Sequence, residues 1–382
     1  MTESRKLKVS NRLKVLQVLP SLNGGGVERG TLEISEALVA AGHESWVLSA
    51  GGRLVGSLEQ AGGHHKRWNI GKKSPFTLLQ VGALRDWLNQ NQFDIIHVRS
   101  RMPAWVVWLA WRKMPEQQRP HLVSTVHGMH SVSRYSAIVT CGERVVAVSE
   151  AVRNYILNNY PETPADKIEL IYRGIDELEF PHGYQPPEAW RTVWQQQFPQ
   201  LVGQQVITLP GRLTRLKGHL TFLEVMAALK KEGIPVKGLI VGGEDDKRKS
   251  YAREVYQRCD ALGLTQDVLF TGHRNDMKEI YAASDIVLTL SSKPESFGRT
   301  AAEALSMGVP VIGWNHGGIA EILRELYPEG AVTKDDSASL LSAIRHTLEN
   351  KPSIPPNRRF LLSEMKAQTL KLYDHLCHPE TQ

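Results

Sequence analysis

Pro294–Gly308, read as PESFGRTAAEALSMG, is the stretch on which the reading of this chain turns. A loop acid, Glu295, opens it. The small turn Ser296-Phe297-Gly298 follows, then a helical segment that carries a second acid, Glu303, and stops at Gly308. Ser296 is the expected N-cap and Gly308 the expected glycine just past the last turn. Helix side chains lean toward the N-terminus, so Glu303, about one turn in, is expected to tilt back toward the helix mouth. That mouth has unsatisfied N–H groups and the positive end of the helix dipole, which suit phosphate. The segment therefore combines an anion cradle with a carboxylate on either side. A ligand with a diphosphate between two hydroxyl-bearing sugar rings makes those demands. The competing reading is a surface helix with two solvated acids, and the surrounding sequence decides between them.

Upstream, the β-rich run QVITL (205–209) leads directly into PGRLTRLKG (210–218). Arg212 and Lys217 fall at the strand end or on the loop after it. Arg grips two phosphate oxygens at once, and Lys supplies a compact charge. A departing nucleoside diphosphate needs its charge met by a metal or by fixed cations. The chain has no Asp-x-Asp pair. Its nearest approach, Glu244-Asp245-Asp246, runs into Lys247-Arg248-Lys249 and reads as a solvated turn. Fixed cations are therefore expected, with no metal and no cofactor.

Farther outward, apolar runs alternate with helical stretches. In the second half they are QVITL, VKGLIVGG (236–243), DVLFTG (267–272), DIVLTL (285–290) and VPVIGW (309–314). In the first half they are Leu13–Leu19, Ser45–Ser49, Asp94–Val98, His121–Val126, Val145–Val148 and Lys167–Tyr172, with a helix expected over Phe76–Leu88. This alternation predicts an α/β chain with two mostly parallel sheets. The Pro-, Gln- and Trp-rich segment Glu179–Gln200 marks the linker at or just before it. The expected domains are 1–180, 181–355 and a closing helix within 356–382. Two features of the first half point to ligand chemistry. Leu13–Leu19 is followed by Asn23-Gly24-Gly25-Gly26 and a helical pattern, a strand–glycine loop–helix layout in which Gly25 and Gly26 let a ligand approach the backbone. HLVSTV runs into His127-Gly128 at a strand's carboxyl end, where open α/β sheets bind ligands. A plain tight turn and a capped loop histidine are the alternatives.

The 382 residues, 41% hydrophobic and 23% charged, are those of a globular chain long enough for two domains. No apolar run of about 18 residues occurs, and the N-terminus lacks the apolar core of a secretory signal. Cys141, Cys259 and Cys377 are widely spaced and odd in number, which fits a reduced, cytoplasmic compartment. Charge is uneven. Residues 1–153 hold 20 Lys and Arg against 11 Asp and Glu, a balance of +9, and the remainder balances at −3. A basic half implies an anionic partner, be it a phospholipid surface, a phosphorylated acceptor or nucleic acid. Within it, PAWVVWLAWRKM sets Trp105, Trp108 and Trp111 on one face. That face reads as core packing or, with Arg101, Arg112, Lys113, Lys66, Arg67, Lys72 and Lys73 around it, as an interfacial helix.

Taken together, the motifs resemble those of the retaining family-4 glycosyltransferases of GT-B fold. The resemblance runs over roughly residues 13–375 and is carried by GGGVE (24–28), STVHG (124–128), VSEAV (148–152), GRLTRLKG (211–218), Gly272-His273 with YAASDIVL (281–288), ESFGRTAAE (295–303), and GVPVIGW and GGIAEIL (308–323). It implies two Rossmann-like, doubly wound domains facing a cleft, with the donor held by the second and the acceptor mainly by the first. Arg212 and Lys217 would bind the donor diphosphate, helped by main-chain groups of Gly25, Gly26, Phe297 and Gly298 beside Ser296. Glu303 would hold the ribose, Glu295 the transferred sugar, and His127 would act near the reacting centre. The base would lie near Gly272, His273 and Arg274, mainly against the main chain. Retention would proceed by front-face attack within an ion pair. One position departs from the pattern: Arg173 stands where relatives carry asparagine before Gly174-Ile175-Asp176. The expected activity is transfer of a hexose-type sugar from a UDP-sugar to a lipid-linked or lipopolysaccharide-core acceptor at the inner face of the cytoplasmic membrane. A nucleotide-sugar epimerase or a phosphorylase of the same fold is the alternative among enzymes, and a basic nucleic-acid-binding protein the alternative from another class.

Overall fold

The computed structural model describes residues 12–244 and 249–379. Residues 245–248, the core of the expected solvated turn, lie outside the described residues, as does the N-terminal segment 1–11. The chain forms two compact units. The first takes the described residues of Met1–Val148, Val152–Ile171 and Met365–Gln382, and the second takes Ser149–Ala151 and Tyr172–Glu364.

The first unit is built on seven strands: β1 (Lys14–Val18), β2 (Glu44–Ser49), β3 (His64–Arg67), β4 (Ile95–Val98), β5 (His121–Val126), β6 (Arg144–Ala147) and β7 (Ile168–Leu170). They pair in parallel in the order β3-β2-β1-β4-β5-β6-β7. The second unit holds β8 (Gln205–Pro210), β9 (Val236–Val241), β10 (Val268–Phe270), β11 (Ile286–Thr289), β12 (Val311–Trp314) and β13 (Ala331–Val332). Their order, β10-β9-β8-β11-β12-β13, repeats the same winding in parallel. The central strands are mostly apolar because helices cover both faces of such a sheet, and β4, β11 and β12 are buried at every residue, His97 and Thr289 included. In this winding the strand order reverses beside the first strand of each sheet, between β1 and β4 and between β8 and β11. Ligands of open α/β sheets sit outside the carboxyl ends at that point.

Three expectations change in detail. The helix expected over Phe76–Leu88 is two pieces, Pro75–Leu78 and Val81–Asn91, because Thr77 turns inward to bond the Lys72 carbonyl at 2.9 Å while Val81, Leu84 and Leu88 bury a separate stripe. Within Glu179–Gln200, Glu188–Gln197 is a helix whose Trp194 is buried and stacked on Trp190. The helix of the three tryptophans starts at Arg101, and its buried face is Met102, Ala104, Val106, Val107 and Ala110. Trp105, Trp108 and Trp111 are half-buried against the same core, with the indole N–H groups of Trp105 and Trp111 donating to the carbonyls of Tyr135 and Pro120 at 3.0 and 2.7 Å. The indoles of Trp105 and Trp111 are thus anchored to the main chain of their own unit. The final helix, Leu362–Cys377, gives its residues from Met365 onward to the first unit. There Tyr373, fully buried, bonds His97 Nδ1 at 2.5 Å.

Candidate active site

In the second unit the loops after β8 and β11, the two strands at the point of reversal, carry the residues singled out in the sequence. The loop after β8 is packed with no spare room. A Cβ on Gly242 would lie 2.1 Å from the Gly211 carbonyl oxygen, and one on Gly218, at φ 78°, would lie 2.1 Å from that of Leu290. Lys217 runs back along this loop, its Cγ 3.0 Å from where a Gly211 Cβ would stand. Its ammonium donates to Glu295 Oε1 at 2.7 Å. The Ser291 hydroxyl donates to the same oxygen, and His316 Nε2 donates to the Ser291 carbonyl at 2.9 Å. Arg212, on the same loop, is exposed and makes no ion pair among the described residues.

Electrostatics follow from this packing. Burial alone would raise the Glu295 carboxyl, whose side chain is 18% exposed. The charge and hydrogen bond of Lys217, with Ser291 and His316, outweigh burial and hold it below the usual carboxylate range. Glu295 is thus ionised at neutral pH. Directly beyond the basic loop, His219 is fully buried at the start of the helix His219–Lys231. Burial pushes its pKa down to about 4, against the pull of main-chain groups at Gly211 and Thr214, so it stays neutral beside the loop that carries Arg212 and Lys217.

The helix of the opening stretch begins at Arg299, not beside Ser296. The N-cap position is Gly298, at φ 97°, and no side chain caps it. Tertiary packing imposes this. The Glu295–Gly298 turn rests on the start of the helix Gly317–Leu326, where a Gly318 Cβ would stand 2.4 Å from Phe297 Cα and a Gly298 Cβ 2.7 Å from Ile319 Cγ1. Gly318 N donates to the Glu295 carbonyl at 2.8 Å, and Phe297 is buried against Phe360. Gly308, at φ 87°, ends the helix as expected. Glu303 lies 6% exposed inside it, its Oε1 3.0 Å from Arg299 Nε and its Oε2 accepting from the fully buried Tyr281 hydroxyl at 3.1 Å. Further contacts would use its remaining lone pairs.

His273 is exposed on the loop after β10, and its Cβ is 3.4 Å from where a Gly243 Cβ would stand, so this loop adjoins the one after β9. The Arg274 side chain is engaged elsewhere. Its Nε and Nη2 reach Asp276 at 2.8 and 2.5 Å, and its guanidinium lies over Trp194. Only the main chain at Arg274 remains for a ligand. In the first unit, Gly24 and Gly25 adopt φ of 140° and 152° at the mouth of the helix Gly26–Ala40, with Arg53 folded over Gly24 and bonded to the Asn23 carbonyl. His127, half-buried, follows the end of β5. Ser291, His316, His219 and Tyr281 were not found from sequence. His316 had a local signal, since it stands between a buried strand and the close-packed Gly317-Gly318. The others were ordinary helix and loop residues until the fold brought them in.

Two parallel sheets of the same winding, with cations and carboxylates on the switch-point loops of the second, are an arrangement that suits a glycosyltransferase. The family comparisons agree: residues 24–177 match the Glycosyltransferase Family 4 model and residues 191–360 the Glycosyl transferases group 1 model, which together take in most of the chain. The chain belongs to the group 1 glycosyltransferases of GT-B fold and is a transferase. It is similar to N-acetyl-alpha-D-glucosaminyl L-malate synthase of Bacillus anthracis, 26% identical over 327 residues that cover 82% of this chain and 81% of that protein. Among solved structures it is similar to a glycosyltransferase from Rickettsia africae, with a TM-score of 0.80, 28% identity, and 97% and 100% of the two chains covered. It shares its fold with Anabaena HepE, determined with UDP and glucose, at a TM-score of 0.78, 22% identity, and 94% and 99% coverage.

Proposed function

We propose that this glycosyltransferase moves a hexose-type sugar from a nucleoside diphosphate sugar, a UDP-sugar first among them, to an anionic acceptor, with retention at the anomeric carbon. The observation that carries the reading is the convergence of Lys217 and Glu295, with Arg212 exposed on the same loop as Lys217. Arg212 and Lys217 meet the charge of the leaving diphosphate, so that transfer needs no divalent ion. Glu295 accepts from hydroxyls of the transferred sugar, and Glu303 from the ribose. The C1–O bond to the diphosphate breaks as the acceptor oxygen bonds C1 from the same face, and the acceptor proton passes to the departing phosphate oxygen. His127 is assigned to the reacting centre.

The acceptor we propose is a lipid-linked or lipopolysaccharide-core saccharide at the inner face of the cytoplasmic membrane. The balance of +9 over residues 1–153 supports it. A second reading, a small acidic acceptor, is favoured by the likeness to an enzyme named for malate. A thermal-shift screen against UDP-, GDP- and ADP-sugars tests the donor, because a ligand of the folded state raises its melting point. Transfer with and without chelator, to lipid-linked saccharide and to malate, tests the rest. No shift with any nucleotide sugar refutes the donor reading, and loss of transfer in chelator refutes fixed-cation catalysis.

A further inference from the structure

Among the described residues, the first unit carries an exposed apolar cluster that neither its core nor the chemistry above uses. In the loop after β3, Phe76 and Leu79 are 77% and 78% exposed, and Leu78 lies between them at 42%. The loop is held in shape from inside. Ser74 caps its short helix by accepting from Phe76 N, and buried Thr77 bonds the Lys72 carbonyl. The outward apolar side chains are therefore fixed by the fold. Lys72 and Lys73 precede them and are exposed. The Lys73 ammonium lies 5.6 Å from the Tyr135 ring centroid, which ties this loop to the one after β5, where Val132 is 54% exposed. Both loops leave carboxyl ends of strands in one sheet.

We infer that the Lys72–Leu79 loop, with Val132 on the neighbouring loop, is a docking surface for an anionic lipid bilayer. The inference deepens the lipid-linked acceptor reading and rests on it for its purpose, though not for its test. A stable contact between proteins engages roughly 20–30 residues a side, far more than this cluster provides. One aromatic and two leucines flanked by lysines are what the boundary between headgroups and acyl chains accepts, since lysine stems lie along apolar surface while their ammonium groups meet lipid phosphate. The basic balance of the surrounding half supplies attraction at longer range.

Co-sedimentation of the whole protein with vesicles tests this, without donor or acceptor. Wild type is expected to pellet with phosphatidylcholine vesicles containing phosphatidylglycerol, to pellet less in high salt, and to stay in solution with phosphatidylcholine alone. Phe76→Ser with Leu79→Ser is expected to lose at least tenfold in binding, and Lys72→Glu with Lys73→Glu as much at low salt, both with unchanged melting points and unchanged UDP-sugar thermal shifts. Absence of wild-type binding, or unaltered binding by the Phe76 and Leu79 variant, overturns the inference. So does a wild-type dimer that this variant turns into a monomer, which would make the patch a contact between copies. Vesicle binding without any nucleotide-sugar shift would keep the docking surface and reject the proposed nucleotide-sugar donor, so the two failures are distinguishable.

Discussion

Lys217 and Glu295 stand 2.7 Å apart although 78 residues separate them in the chain. The cation proposed for the diphosphate and the acid proposed for the sugar therefore hold each other before any donor arrives. Incoming phosphate competes with Glu295 for the ammonium, and the sugar hydroxyls compete with Lys217 for the carboxylate. Replacing Glu295 with Gln keeps the shape and removes the charge. We expect UDP to bind at least as tightly as to wild type, by calorimetry, while transfer falls about a hundredfold, since hydrogen bonds that grow in the transition state each contribute a few kcal/mol. Glu295→Gln at full rate would remove Glu295 from the site.

Arg212 separates binding from stability. It is exposed and unpaired among the described residues, so Arg212→Ala should leave the ligand-free melting point within about 1 °C of wild type, as surface changes do. UDP affinity should fall tenfold or more, because a bidentate grip on phosphate is lost. Arg212→Lys should restore only part of it. Equal UDP affinity in Arg212→Ala would exclude it from the diphosphate site.

Gly318 tests why the turn that bears Glu295 sits where it does. A methyl group there would meet Phe297 Cα at 2.4 Å, and that contact is backbone. Gly318→Ala should cost about 1–3 kcal/mol in urea unfolding and disproportionately reduce transfer. Gly263→Ala serves as a contrast: it has open space around it but a φ of 65°, so it should lose stability without the selective loss of transfer.

Much of this arrangement could be read from residues alone, and the limits have physical causes. The central strands were legible because β4, β11 and β12 are mostly apolar, interrupted only by His97 in β4 and ended by Thr289 in β11. The edge strands β3 and β13 were not, since HHKR is polar and AV is two residues long. Arg212, Lys217, Glu295 and Glu303 stood out because they fall near a strand end and a helix start within motifs that resemble, in the same order, those of the family. Ser296 misled because N-cap preference is local. The true start at Gly298 is imposed by Ile319 and Gly318, which only the fold brings near. Phe76–Leu88 looked like one amphipathic helix because the periodicity says nothing about Thr77 turning inward.

Acid stability should report the buried histidines. His219 is held at about 4 by burial, while the unfolded chain protonates near 6.5. Between those values the unfolded state binds more protons, so stability falls as pH falls from 6.5 toward 4, by about 3 kcal/mol at most for His219. Fully buried His97 is lowered in the same direction. His121 opposes them: its hydrogen bond to Glu143 raises it, so its smaller, half-exposed contribution is present at low pH and fades as pH rises through the folded value. Urea midpoints at pH 7, 5.5 and 4.5 measure the balance, and His219→Gln should flatten the trend. A midpoint that does not move between pH 7 and 4.5 contradicts it.

Tyr373, which bonds His97 across 276 residues, is translated after every strand of the second sheet. Until it leaves the ribosome, His97 on β4 lacks its Tyr373 partner, although every strand of the second sheet, encoded in between, has already been made. Synthesis thus runs in the opposite order to maturation: the part made first is the part finished last. A released chain truncated before Leu372 should therefore yield a protease-resistant second half joined to a first half that is readily cut.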